Sequence, residues 1–144
     1  MDVTRLLRVL MTILLVATFI LVTVATYKEN LKVEAMVKLS DSASSIATRL
    51  TVQDLAWTDA REPHPYVLDP DRLNDLNYRY AVGGDNFGFQ VRISYWDGGS
   101  DENLGPYGPK VPEDKMTDTL TLPVTLRKNC RMFPARLTVV VWHE

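Results

Sequence analysis

The chain has 144 residues, a net charge of −2 and a sequence pI near 5.7. That is room for one ordinary domain plus an anchor, and the balanced charge shows no basic patch, so nucleic acid is not an expected partner. The single Cys130 excludes an internal disulfide, and a small buried residue is its expected role.

All eight prolines lie after residue 62 and all seven glycines after residue 82. The first 62 residues therefore hold no helix breaker. Within them Val9–Tyr27 carries no charged side chain. At the helical rise these 19 residues span about 28 Å, close to the roughly 30 Å hydrocarbon core of a bilayer. The alternative is a cleaved signal peptide, with Arg5 and Arg8 as its basic region and Ala25 near the cut. The block is longer than the usual apolar region of about 7–15 residues, and the helical pattern crosses the supposed cut without a turn residue. A retained anchor is the reading adopted here. Basic residues flank both ends, Arg5 and Arg8 on one side and Lys28, Lys32 and Lys38 on the other. A large downstream domain crosses with little regard to its charge, so the N-terminus is placed inside and the domain outside the cell membrane, single-pass.

From Tyr27 to Leu55 the apolar residues keep helical time. Met36, Leu39, Ala43, Ile46 and Leu50 recur at steps of three and four, while Lys32, Glu34, Lys38, Asp41 and Arg49 lie off that stripe. The stripe either packs on the chain's own sheet, which is preferred because it lasts only about two heptads, or on a neighbouring copy. Pro63 and Pro65 predict a helix end near Trp57–Arg61. Tyr66–Asn77 then reads as a loop with one helical turn, capped by Asp69 with Pro70 in first position.

From Tyr78 the period changes to two. A short strand opens at Tyr78 and stops at Gly83-Gly84, and Phe89–Tyr95 alternates as a half-buried strand. Asp97–Ser100 is a hairpin-type turn, and Asp101–Glu113 an irregular surface excursion. Leu120–Leu126 alternates with threonines, but Pro123 cannot donate to a ladder, so this strand belongs at an edge or carries a bulge. Arg136–Trp142 is the strongest strand and belongs in the middle of a sheet. The expected fold class is α+β, a long N-terminal helix packed on a small antiparallel sheet of about four strands. Residues 1–27 form the membrane-spanning or filament-core segment, 28–61 its amphipathic continuation and 62–144 the β domain.

Catalytic chemistry is not visible. His64 and His143 are the only histidines, and no nucleophile motif, H-x-x-x-H or C-x-x-C accompanies them. The acidic loops Asp69–Asp75 and Asp97–Asn103 offer oxygen ligands of the calcium kind, but neither matches an EF-hand, and capping and turn chemistry explain them. No catalytic residue, metal, cofactor or small-molecule substrate is expected. Thr12, Thr18, Thr23 and Thr26 interrupt the apolar block, where a threonine bonds back to its own helix or reaches a neighbouring one.

A helix apolar in its first half and amphipathic in its second, followed by a small β domain, resembles the type IV pilin superfamily. The segments VLDPDRLNDLNY, FQVRISYWDGG and PVTLRKNCRMFPARLTVVVWHE resemble small archaeal pilin-like membrane proteins. The resemblance implies a non-enzymatic subunit or accessory component of a surface filament or its membrane complex. Its partners are then the membrane and other copies of itself or related pilin-like subunits. The face of Leu10, Ile13, Leu14, Ala17, Ile20, Leu21 and Val24 would carry assembly, with Asp97–Glu113 the most accessible part of the outer domain. MDVTRLLR holds no glycine, so the basic leader ending in glycine that many pilins lose is not seen, and the block lacks the glutamate of many bacterial pilins. A bitopic membrane protein whose outer β domain binds a cell-surface partner is the other reading.

Overall fold

The computed structural model describes residues 2–144. One α-helix, α1, runs from Val3 to Arg49 and ends in a π turn, Leu50–Asp54, where the Leu55 amide reaches the Leu50 carbonyl at 2.9 Å. Seven strands follow: β1 Ala56–Asp59, β2 Glu62–Leu68, β3 Arg79–Val82, β4 Asp85–Trp96, β5 Asp101–Tyr107, β6 Thr117–Lys128 and β7 Arg131–His143. They form one sheet in the order β1-β2-β6-β7-β4-β3, with β5 also on β4. The class is α+β as expected, but the sheet is mixed, because β2 runs parallel to β6 while the other pairs are antiparallel. The chain divides into two compact units, residues 1–37 and 38–144.

Within the second unit the sheet buries one face. Phe87, Phe89, Val91, Ile93 and Tyr95 of β4, Ala135, Leu137, Val139 and Val141 of β7, and Val124 and Leu126 of β6 form one cluster with Leu39, Ala43, Ile46 and Ala47 of α1 and Leu50 of the π turn. The stripe thus packs on the chain's own sheet. Ala43 and Ala47 are wholly buried, and their small side chains let the helix approach the strands closely. Met36 departs from the expectation: it is 52% exposed, because it precedes Lys38, where the packed unit begins.

Strand β7 is central, between β6 and β4, as its valine run requires. On the opposite face Trp142 lies over Gly88, its register partner, where an added Cβ would stand 2.6 Å from the indole nitrogen. Glycine there makes room for the ring, which is only 3% exposed.

Four local expectations change. The helix ends sooner than Trp57–Arg61, because Ala56–Asp59 pairs with Glu62–Leu68 as a hairpin. Trp57 stacks on His64 at 4.7 Å and lies under the Arg127 guanidinium at 3.6 Å. Pro63 and Pro65 are tolerated inside β2 because only one side of the strand is paired there; its ladder to β6 holds only Val67 and Leu68. Asp101–Tyr107 is a strand, not a loose excursion, its irregularity confined to a register shift between Val91 and Ile93. Cys130 is exposed rather than buried. Asn129 and Cys130 form the two-residue β6–β7 turn with φ of 53° and 60°, the sign a type I′ turn demands. The one-turn helix over Pro70–Asn74 does form, with the Asp69 carboxylate accepting from the Asp71 amide.

Core burial sets a contrast between neighbouring stripe positions. Ile46→Ala is expected to cost about 2–5 kcal/mol, and Met36→Ala less than about 0.5 kcal/mol, in denaturant unfolding of the full chain in detergent. Equal costs for both would contradict the packing. Tyr78 provides a pH test. Its hydroxyl donates to the Leu73 carbonyl at 2.6 Å, and burial, with the Tyr107 phenol adding to it, raises its pKa. The folded state therefore holds this proton more tightly than the unfolded chain. The resulting stabilisation is complete below about pH 10 and is lost as pH rises through the higher folded value. Tyr78→Phe is expected to lose about 1 kcal/mol at neutral pH and to show a flatter alkaline decline. An unchanged decline in that variant would remove Tyr78 as its source.

Candidate assembly surface

In an α-helix, side chains three and four apart share a face. Leu10, Ile13, Leu14, Ala17, Ile20, Leu21 and Val24 are spaced in that way along α1, and every one of them is exposed. The larger ones range from 49% to 72% exposed. Among the described residues nothing covers this face. The remaining surface of the block is also apolar, with Met11, Leu15, Phe19 and Val22 exposed as well. A helix apolar on every side belongs in lipid or inside a larger protein body. Helix α1 is long and apolar enough to cross a membrane.

The threonines settle their polarity locally. Thr12, Thr18, Thr23 and Thr26 each donate to the carbonyl four residues earlier, at 2.8, 2.8, 2.8 and 2.9 Å. A hydroxyl satisfied this way needs no acceptor on a neighbouring helix. These residues therefore carry no argument of their own for helix–helix packing. Their small size matters more: Thr12 and Thr18 help line a shallow groove with Arg8, Met11, Leu14, Leu15, Phe19 and Val22. At 100° per residue these residues lie roughly opposite the face centred on Ala17, except Leu14, which the groove shares with that face. Sequence periodicity missed it, because a block apolar all round has no contrast from which to choose a face.

The polar candidates fall into separate places. His64 is half-buried against Trp57, and His143 Nε2 stands 3.7 Å from an Asp85 carboxylate oxygen while meeting the Phe87 ring edge-on. No nucleophile is paired with either imidazole among the described residues' side-chain hydrogen bonds. Among the described residues no three of His, Cys, Asp and Glu converge in a group suited to a metal ion. An open cleft of about 670 Å³ lies where Arg49, Asp54, Arg72, Asp75, Arg79 and Tyr80 meet. Three of its charged groups are paired: Arg49 Nε is 3.4 Å from Asp54, which also accepts from Tyr80, and Arg79 Nε is 3.1 Å from Glu144. The Arg49 guanidinium also lies 4.3 Å from the centre of the Tyr80 ring, and Arg72 donates to the Thr58 hydroxyl at 2.9 Å. These bonds tie the end of α1 and the Pro70–Asn74 turn to neighbouring strands. The expected contact loop Asp97–Glu113 divides into a turn, strand β5 and an irregular stretch after Tyr107.

No family model, curated protein or solved structure matches the chain.

The apolar block yields a direct prediction. Leu15→Arg at mid-block is expected to raise the free energy of insertion by roughly 2.5–3.5 kcal/mol and to shift the full chain from the membrane or filament fraction toward the soluble or aggregated one. Wild-type fractionation of that variant would show that Val9–Tyr27 is not held in an apolar medium.

Proposed function

We propose that this chain is a non-enzymatic, pilin-like membrane protein, a subunit or accessory component of a type IV pilus-like surface filament or its membrane complex. It assembles through α1 and presents its β domain outside the cell. The observation that carries the reading is a spanning block whose apolar surface is uncovered on all sides. It belongs to a helix that runs unbroken to Arg49. Further along, the same helix supplies the stripe that covers the sheet. A free bilayer anchor needs only the first of these properties. The continuous helix, set before a small β domain, is the layout that resembles filament subunits.

Under this reading the face of Leu10, Ile13, Leu14, Ala17, Ile20, Leu21 and Val24 contacts other copies or related subunits. Van der Waals packing is the available force, because lipid tails are as apolar as leucine. The bitopic binding module is the competing reading. It is favoured by the intrahelical satisfaction of all four threonines, which suits a helix surrounded by lipid alone.

Single cysteines scanned through Leu10–Val24 in a Cys130→Ser background separate the two. Assembly through α1 predicts crosslinks recurring every three to four residues and strongest on the Ala17 face. Recurrence on the Thr18 side instead would move the contact to the groove. A chain uncrosslinked at every position, in its native membrane, would leave the binding module.

A further inference from the structure

The hydrogen-bond parity of β6 exposes an open strand edge. The Glu144 amide donates to the Asn86 carbonyl of β4 at 3.0 Å, so even-numbered residues of β7 direct their backbone groups to β4. Odd-numbered ones therefore face β6. In the β6–β7 register these pair with even residues of β6, from Asp118 opposite Val141 to Lys128 opposite Arg131. Odd residues of β6 must then point their amides and carbonyls away from β7. Thr125 uses that direction toward β2, whose ladder on β6 contains only Val67 and Leu68. Pro123, whose missing amide falls on the same side, follows without disrupting the β7 ladder. Thr117, Thr119 and Thr121 have no strand partner in that direction.

The other edges are guarded differently. Strands β1 and β3 are four residues each, and β5 carries Asp101, Glu102, Gly105 and Pro106. Charges, prolines and shortness are the usual defences of an edge. On β6 the defences stand only at the ends, Asp118 and Pro123. Between them Thr119 and Thr121 are exposed, and Leu120 and Leu122 on the core side are only half-buried.

We propose that this edge pairs, antiparallel and two-fold, with the same edge of a second copy. An isologous contact needs a self-complementary patch, and Thr117–Pro123 is one. With Leu120 opposite its own copy, Thr119 faces Thr121, Asp118 faces Leu122 and Thr117 faces Pro123. No like charges are opposed. Thr119 and Thr121 exchange both their backbone bonds across the axis, and Pro123 still accepts from Thr117. The two Leu120 side chains, half exposed in one copy, meet each other. This contact does not depend on the helix face proposed above.

The test uses the full chain in detergent, carrying Leu120→Cys and Cys130→Ser. The two cysteines would occupy a non-hydrogen-bonded pair, whose Cα separation of about 4.5 Å lies within disulfide range. Mild oxidation is expected to give a disulfide-linked homodimer. Adding Thr119→Lys and Thr121→Lys sets like charges opposite each other and should cut the yield at least tenfold. Thr119→Lys with Thr121→Glu sets opposite charges across the axis and should restore it, without asking more of the fold than the first pair did. Absence of a homodimer, a yield indifferent to the lysines, or crosslinking only to a different polypeptide would each overturn the proposal. Crosslinks from the Leu10–Val24 scan report on the helix separately, so either contact can fail alone.

Discussion

The unit 38–144 depends on one act of burial, the covering of the sheet's apolar face by Leu39, Ala43, Ile46, Ala47 and Leu50. A twisted sheet with one oily face has to find a second layer, and no other helix of comparable length is present among the described residues. The π turn at Leu50–Asp54 fits this demand. One extra residue per turn lets Leu50 and Leu55 both reach full burial before the chain bends into β1. Tyr80 and Arg49 then meet on Asp54, fixing the helix end against β3. A change that loosens the stripe would act on every strand at once.

Much of this was legible in the sequence where periodicity met contrast. The stripe stands out because charged residues fill the other face of its helix, and β7 because four apolar residues run together at its end. Pro123, through its missing donor, called for an edge or a bulge; β6 lies inside the sheet, between β2 and β7, but its ladder to β2 does not reach Pro123. The Asp69 cap and the Gly83-Gly84 stop are local chemistry and could be read locally. What escaped depends on partners far away in the chain. Pro63 and Pro65 argue against a strand until one knows that β2 is paired on one side there. Asp101–Tyr107 is full of turn residues, and only its pairing with β4 makes it a strand. Cys130 looks like a core residue by type, yet the two-residue turn that joins β6 to β7 places it in water.

The proposed contact surfaces were legible to different depths. An uncharged block of membrane length identifies itself by composition alone. A contact face on it does not, because every direction around Ala17 is apolar, and the groove beside Thr18 appears only with side chains in place. The threonines show the same limit. From the sequence each could bond back or reach a neighbouring helix, and each finds its acceptor one turn back in its own helix. The β6 edge was half visible, since Pro123 marked it, but the direction of its free amides required the register.

The two proposed contacts differ in kind, and the difference bears on how copies could be ordered. A helix surface has no free backbone donors, and in lipid it gains no hydrophobic advantage from meeting another helix. Such packing is permissive about rotation and depth, all the more where the face is Leu, Ile and Val around a single Ala17. A strand edge is the opposite case. Its donors and acceptors are fixed in spacing and direction, and a shift by one residue turns every side chain to the wrong face. On the proposed reading, α1 gathers copies into one apolar medium without specifying their register, and β6 supplies a directional contact that does. A two-fold edge contact closes on itself, however, and cannot by itself propagate a filament. Growth beyond a pair would have to come from the helix, through a heterologous contact or through a second two-fold whose axis does not meet the first.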